Sequence, residues 1–262
     1  VFGFIAGIGV GYGMAIVLFT ILVRIVMSPV TYKSYLSQAK MKVLRPEITE
    51  LNEKFKDNPM KKQQETMKLY SKAGVNPMAG CLPALMQMPI FYALFQFFPS
   101  MFDLRQKSFL WADDLSSYDS IYQLPFHIPF YGSHVSLFPI LASVAIFFYM
   151  KMTTGDQAMS APPQEGMPDM GKIMKIMIYI SPVMMLFFFN NYASGLSLYY
   201  FISNLITIGI MLVIKNYIVK DDKIHAKIQE NKTKEKKESK FQKKMREMME
   251  QAEEQKAQQK KK

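Results

Sequence analysis

Arg24 is the first charged residue of the chain, after 23 uncharged positions, and Ile25-Val26-Met27 continue the apolar run beyond it. An arginine at the centre of a membrane helix costs about 2.5–3.5 kcal/mol on insertion scales, so water or a partner is expected beside it. Two readings stand. Arg24 snorkels, its head in the headgroups and its stem in lipid, or it faces a water-filled concavity inside a helix bundle. The apolar stretches contain no carboxylate to neutralise it. They supply neutral amides and hydroxyls instead, on Gln87, Gln96, Ser197, Ser203, Asn204 and Thr207. An unpaired cation among such groups points to transient anionic guests and not to a catalytic centre.

The other reactive side chains assemble nothing comparable. Cys81 is the only cysteine, which excludes an internal disulfide and a cysteine metal cage. His127 and His134 lack a third ligand, and His225 stands far from both. Asp103, Asp113, Asp114 and Asp119 share one stretch, but the glycine and bidentate glutamate of a calcium loop are missing, so a solvated acidic loop is expected. The apolar stretches hold no Ser/His/Asp or Cys/His set, and the chain has no Gly-rich Lys-Ser/Thr phosphate loop. The sequence therefore predicts neither an enzyme nor a bound cofactor or metal.

The elements that must position Arg24 are read from charge segregation. Half of the 262 residues are hydrophobic (50%), yet the net charge is +11 and mean hydropathy only +0.02. These values coexist when apolar segments lie in lipid and charges collect between them. A crossing needs roughly 20 mostly apolar residues, and the runs divide the chain as follows: a first span at 1–27, a second at 78–98, a third at 135–150, and an uncharged stretch from Ile176 to Ile214. That last stretch is long enough for two crossings, 176–189 and 196–214, around the turn-forming residues 190–195. The predicted fold is an all-α integral membrane protein with five transmembrane helices and a cytoplasmic helical hairpin. The runs at 135–150 and 176–189 are short for a crossing, which would thin the bilayer locally.

Lysine and arginine set the orientation. Ten lie in 28–77, two in 99–134, none in 190–195 and sixteen from Lys215 onward. The positive-inside rule then puts the N-terminus outside and the C-terminus in the cytoplasm. Trp111, Tyr192 and Tyr199 are expected at the outer interface, where amphipathic rings are favoured.

Among the connections, 28–77 reads as a helical hairpin. Leu44, Ile48, Leu51 and Phe55 share a helical face, Asp57-Asn58-Pro59 breaks the pattern, and Gly74 offers a left-handed stop before Asn76-Pro77. It serves either as a mobile basic platform or as a loop that happens to be helical. The cytoplasmic loop 151–175 carries five methionines, suited to varied apolar partners or to the membrane interface. The basic tail 215–262, with few aliphatics beyond Ile224 and Ile228, reads as disordered or transiently helical; anionic lipid, ribosomal RNA and bulk solvent are all open partners. The chain begins at Val1, which leaves room for an upstream anchor such as an acylated cysteine.

Several motifs, in order, resemble the YidC/Oxa/Alb family of membrane-protein insertases. They are Val23-Arg24 with Ser28-Pro29-Val30-Thr31, Gly74 through Pro83, Gln87-Met88-Pro89-Ile90-Phe91, Leu110-Trp111 with Asp114-Leu115-Ser116, and Ser194-Gly195-Leu196 with Tyr199-Tyr200 and Ser203-Asn204. The resemblance implies a five-helix core around a hydrophilic groove, open to the cytoplasm and to lipid but closed outward. It implies that Arg24 is the groove arginine, with Gln87, Asn204, Ser203, Thr207 and Tyr200 beside it. The implied partners are nascent membrane proteins with acidic extracellular tails; membrane lipids and a ribosome stay open as partners of the basic tail, and a larger translocation channel as a co-worker. The lack of an extra first helix or large outer domain resembles the shorter Gram-positive type, in a bacterial cytoplasmic membrane. Tyr192-Ala193 replaces the Phe-Pro found in many relatives. Two rival readings remain: an anion channel or transporter selecting with Arg24, and a ribosome-binding membrane scaffold.

Overall fold

The computed structural model describes residues 2–56, 58–76, 82–158 and 170–218, together with 224, 226 and 228–231. Cys81, His225, residues 159–169 of the 151–175 loop and most of the basic tail lie outside these residues, as does the 77–81 part of the Gly74–Pro83 motif.

Helix α1 (Phe2–Gly7) is separated from α2 by Gly9 and Gly11, both at positive φ (88° and 78°), which halts the helix without a side-chain clash. Helix α2 (Tyr12–Val43) then runs unbroken for 32 residues, past Arg24 and Pro29 to Lys40 and Lys42 in its last turn. Basic residues there suit the negative end of the helix dipole. The boundary expected near residue 28 is therefore no break in the chain: one helix carries both the apolar run and the first part of the predicted hairpin.

At Leu44 the helix stops and α3 (Arg45–Lys54) begins, with Pro46 in its first turn. Helix α4 (Pro59–Ala73) is capped by Asn58, whose side-chain oxygen accepts from the Lys61 amide at 3.1 Å. It ends at Gly74 in the left-handed conformation (φ 66°, ψ 38°), and the Val75 amide reaches back to the Tyr70 carbonyl at 2.9 Å. Leu44, Ile48, Tyr70, Ala73 and Val75 bury their apolar surface together, and Ile224 and Ile228 pack into the same cluster. Asn231 donates to the Ala73 carbonyl at 3.3 Å. Ile224, Ile228 and Asn231 of the tail are thus docked on the hairpin, where a disordered or transiently helical segment was expected.

Helix α5 (Leu82–Ser100) follows, and after the outer loop come α6 (Leu137–Ala158), α7 (Met170–Asn190) and α8 (Ser194–Val213), which continues as a π-helical turn to Ile218. Helix α6 packs along α7 and α8, and α2 packs along α8. Both α6 and α7 outrun the apolar stretches that announced them. With 22 and 21 residues they are about 31–33 Å long at 1.5 Å per residue, enough to cross a bilayer core of about 30 Å.

Among the described residues, three helical segments are both long and apolar enough to cross a membrane: Tyr12–Val43, Lys172–Asn190 and Ser194–Tyr217. Helix α5 is diluted by Gln87, Gln96 and its prolines, and the apolar part of α6 counts 17 residues, Leu137–Thr153.

The outer loop departs from the all-α expectation. Strands β1 (Tyr122–Ile128) and β2 (Gly132–Val135) form an antiparallel hairpin, pairing Tyr122 with Val135, Gln123 with His134 and Ile128 with Gly132. Nor is the acidic loop simply solvated. Asp119 is buried, and one carboxylate oxygen accepts from the Trp111 indole (2.9 Å) and from the Leu137 and Phe138 amides (2.9 and 3.0 Å). It caps the start of α6 and ties the loop to the bundle.

Asp114 accepts from the Ser116 amide at 2.8 Å and its hydroxyl at 2.7 Å. Burial pushes its carboxyl up, but these bonds, the Gln106 amide and the Arg105 charge outweigh that and hold it below the ordinary value.

Candidate functional site

A cavity of about 530 Å³ opens between α2, α5, α6, α7 and α8. Its wall is built by helical repetition. Along α2 the lining residues are Arg24, Met27, Thr31, Ser34, Tyr35 and Gln38, at spacings of three, four and seven that keep one face turned inward. Along α8 they are Tyr200, Asn204, Thr207 and Met211, again one face. Helix α5 brings Gln87, Met88 and Phe91, α6 brings Tyr149, Met150 and Thr153, and α7 brings Met185.

The six residues expected to share a groove come together here. Arg24 Nε donates to Ser203 Oγ, and Gln87 Nε2 donates to the Tyr200 hydroxyl at 3.3 Å. The Asn204 amide nitrogen donates to the Tyr200 carbonyl at 2.7 Å, and the Thr207 hydroxyl to the Ser203 carbonyl at 2.8 Å. These last two bonds satisfy polar donors inside their own helix, so α8 carries amide and hydroxyl groups at membrane depth at little cost. Ser203 lies just behind the wall, fully buried. Gln96 is exposed on α5, and Ser197 is buried in α8 away from the cavity.

No carboxylate stands within ion-pair distance of Arg24 among the described residues. Its guanidinium makes one hydrogen bond to a neutral hydroxyl and keeps donors over for a guest, since the group carries five N–H bonds in all.

The sequence had not picked out Thr31, Ser34, Tyr35 and Gln38 on α2, nor Tyr149 and Thr153 on α6. The signal for the α2 set was present, because each falls on the same helical face as Arg24. It was obscured by the assumption that the membrane helix ended near residue 28. The methionines were also missed: Met27, Met88, Met150, Met185 and Met211 give the cavity one flexible, polarizable side chain from each of five helices.

Beyond Tyr200 the space between the helices is filled. Phe95 stacks on Tyr192 with ring centroids 4.5 Å apart, Phe189 lies 5.5 Å from Tyr200, and Phe19 lies 6.5 Å from Tyr199. Tyr199, expected at an interface, is fully buried within this aromatic layer. The loop between α5 and α6 packs over it. The Ser194 and Gly195 amides, at the start of α8, donate to the Ser117 and Leu115 carbonyls at 2.7 and 3.0 Å. The Tyr192 hydroxyl donates to the Phe95 carbonyl at 2.7 Å, which holds the turn that carries Tyr192-Ala193.

A family model described as the 60Kd inner membrane protein matches residues 4–223, which span the cavity, its aromatic layer and the outer loop. The chain belongs to this family. Proteins named membrane protein insertase YidC are similar to it over most of its length. That of Parabacteroides distasonis is 50% identical over 229 residues, covering 85% of this chain and 35% of that protein. That of Bacteroides fragilis is 47% identical over 234 residues, covering 88% and 37%, and that of Porphyromonas gingivalis 45% over 231 residues, covering 85% and 36%. The chain spans about a third of the length of these relatives. The expectation of a shorter, Gram-positive type rested on where the chain begins, and relatives of this length remove that ground. Membership of the 60Kd inner membrane protein family, with three helices able to cross, makes the chain a membrane protein.

Proposed function

We propose that the chain acts as a membrane-protein insertase and chaperone in a bacterial cytoplasmic membrane, passing short polar tails across and releasing apolar segments into lipid. The observation that carries this reading is the state of Arg24: a cation without a counter-ion among the described residues, on the wall of a cavity between five helices whose largely apolar lining holds a few polar groups. The names of the similar proteins support it.

In this reading all five helices α2, α5, α6, α7 and α8 cross the membrane, with the N-terminus outside and α3 and α4 in the cytoplasm. The cavity wall on α2 runs from Arg24 toward that hairpin, and the aromatic layer closes the opposite end. A guest therefore enters from the cytoplasm. Carboxylates of its N-terminal tail pair with Arg24, while its apolar segment slides into lipid along α2, α5 and α8. With the inside negative, each acidic charge carried outward gains about 2.3 kcal/mol per 100 mV, comparable to the cost of placing one charge at membrane depth. The step needs no nucleotide and no covalent chemistry. The five cavity methionines fit guests of varied apolar shape. Nascent membrane proteins are the proposed substrates, and a ribosome at the basic tail and a larger translocation channel are the proposed co-workers.

The test is insertion of single-span substrates, with zero to three acidic residues in the tail, into vesicles holding the purified chain. Insertion above empty vesicles, without ion flux, is expected. Selective anion leakage with no insertion would replace this reading by an anion channel.

A further inference from the structure

The β1–β2 hairpin is attached to the end of a membrane-crossing helix, and its most prominent side chains are aromatic. Asn190, the last residue of the Lys172–Asn190 span, is fully buried, and its amide nitrogen donates to the Tyr131 and His134 carbonyls at 2.8 and 2.9 Å. Its side-chain oxygen accepts from the Ser136 amide at 3.1 Å, and its backbone carbonyl lies 2.8 Å from the His134 ring. Asn191 donates to the Phe130 carbonyl at 3.1 Å, and Gly132, at φ 105°, leaves no room for a Cβ against the Asn191 side chain. The Tyr131 ring meets Phe187 edge-on, centroids 5.3 Å apart. Phe187 lies three residues before Asn190, about 4.5 Å inside the end of the span at 1.5 Å per residue. The hairpin tip is thus held beside the final turn of a helix that crosses the bilayer.

At that level the hairpin displays large apolar surface. Phe130 is 91% exposed at the tip, and Tyr122 and Phe126, on the same strand, are 61% and 59% exposed. Phe130 also adopts a left-handed backbone (φ 66°), uncommon for a bulky residue and costly to maintain. Strain that projects an aromatic ring away from the protein is retained when the ring gains a favourable environment. The headgroup region of a bilayer favours Tyr and Trp, whose rings combine an apolar body with a polar edge, and Phe on an interfacial element buries its ring at the headgroup–acyl boundary.

We propose that the β1–β2 hairpin is a membrane-interface anchor, seating Phe130, Phe126 and Tyr122 in the leaflet that meets the α7–α8 turn. It holds the outer loop against the lipid surface and, through Asn190, fixes the end of α7 in depth. The proposal requires only that α7 and α8 cross the membrane, and stands apart from what the cavity binds.

The test uses a Cys81→Ser background, which removes the only cysteine, with spin labels attached at Phe130→Cys, Phe126→Cys and Asp113→Cys in vesicles of phosphatidylcholine and phosphatidylglycerol. Labels at 130 and 126 are expected to collide more with lipid-soluble oxygen than with a water-soluble nickel chelate. The label at Asp113, exposed on the same loop, should show the reverse. Phe130→Trp keeps a ring at the tip and should be quenched by lipids brominated near the headgroup more strongly than the native Trp111 alone. Overturning results are nickel access at 130 and 126 equal to that at 113, or shielding from both reagents, which would mean a protein partner or second copy covers the hairpin.

Discussion

Arg24 Nε donates to the hydroxyl of Ser203, 179 residues further along the chain, and so joins the first long helix to the last at the cavity wall. The bond aims the guanidinium without neutralising it. A carboxylate in place of Ser203 would make an ion pair and fill the site, whereas a hydroxyl only orients the charge. The depth of Arg24 and its availability thus follow from the identity of one partner.

Replacing Ser203 tests that orientation. Ser203→Ala removes the acceptor, and hydrogen bonds to charged groups are worth about 1.5–3 kcal/mol. Insertion of acidic-tailed substrates should fall roughly tenfold, because each 1.4 kcal/mol is a factor of ten. Neutral-tailed substrates should be unaffected. Initial insertion rates into vesicles measure both.

Gly195 is where the outer loop meets α8. A Cβ there would lie 2.9 Å from the Leu115 carbonyl oxygen and 2.9 Å from the Phe98 ring, so Gly195→Ala must push the loop away. Overpacking of this kind costs about 1–3 kcal/mol. Gly209, on the same helix, has open space where a Cβ would stand, with nothing within 4 Å, and Gly209→Ala should be neutral or stabilising. Thermal unfolding in detergent distinguishes the two.

Asp119→Ala removes the acceptor shared by the Trp111 indole and two amides of α6. Leaving those donors unsatisfied should cost about 1–3 kcal/mol. Trp111 fluorescence should shift to the red as the indole loosens, and Asp119→Asn, which keeps a carbonyl oxygen, should lie between wild type and Ala.

The outer loop should also weaken in acid. The Asp114 carboxyl is held below its ordinary value of 3.8, so folding favours its charged form. Its contribution is complete above the ordinary carboxylate range and is lost as pH falls through the depressed folded value. The stability gap between wild type and Asp114→Ala should therefore be widest near neutrality and narrow as pH drops below 3.8, as read by unfolding at a series of pH values.

Part of the cavity was legible in the sequence because charge in an apolar run is costly: Arg24, Gln87, Ser203, Asn204 and Thr207 stood out by type, but so did Gln96 and Ser197, which lie away from it, and Tyr200 entered only through the family resemblance. Helix ends were harder to read. Apolarity marks where a chain prefers lipid, not where its backbone leaves the helix, so α2 runs past residue 28 to Val43 and α6 runs past Met150 to Ala158. The hairpin was hidden in part by Pro125, a residue that argues against a strand, although Tyr122, Leu124, Phe126 and Ile128 alternate at period two. Asp119 looked solvated because its partners, the amides of residues 137 and 138, lie beyond the reach of any local pattern. Ile224 and Ile228 were visible as an isolated pair, but nothing local identified the hairpin surface that buries them.

The most direct measurement compares wild type, Arg24→Ala and Arg24→Lys for insertion of one single-span, acidic-tailed substrate into vesicles, with ion leakage followed in parallel. The cavity account predicts insertion by wild type, substantial retention by Lys, which keeps the charge, and loss by Ala, without leakage in any of the three. Equal insertion by all three would contradict it, leaving Arg24 a snorkelling residue and assigning the activity to the shape of the bundle or to the cytoplasmic hairpin.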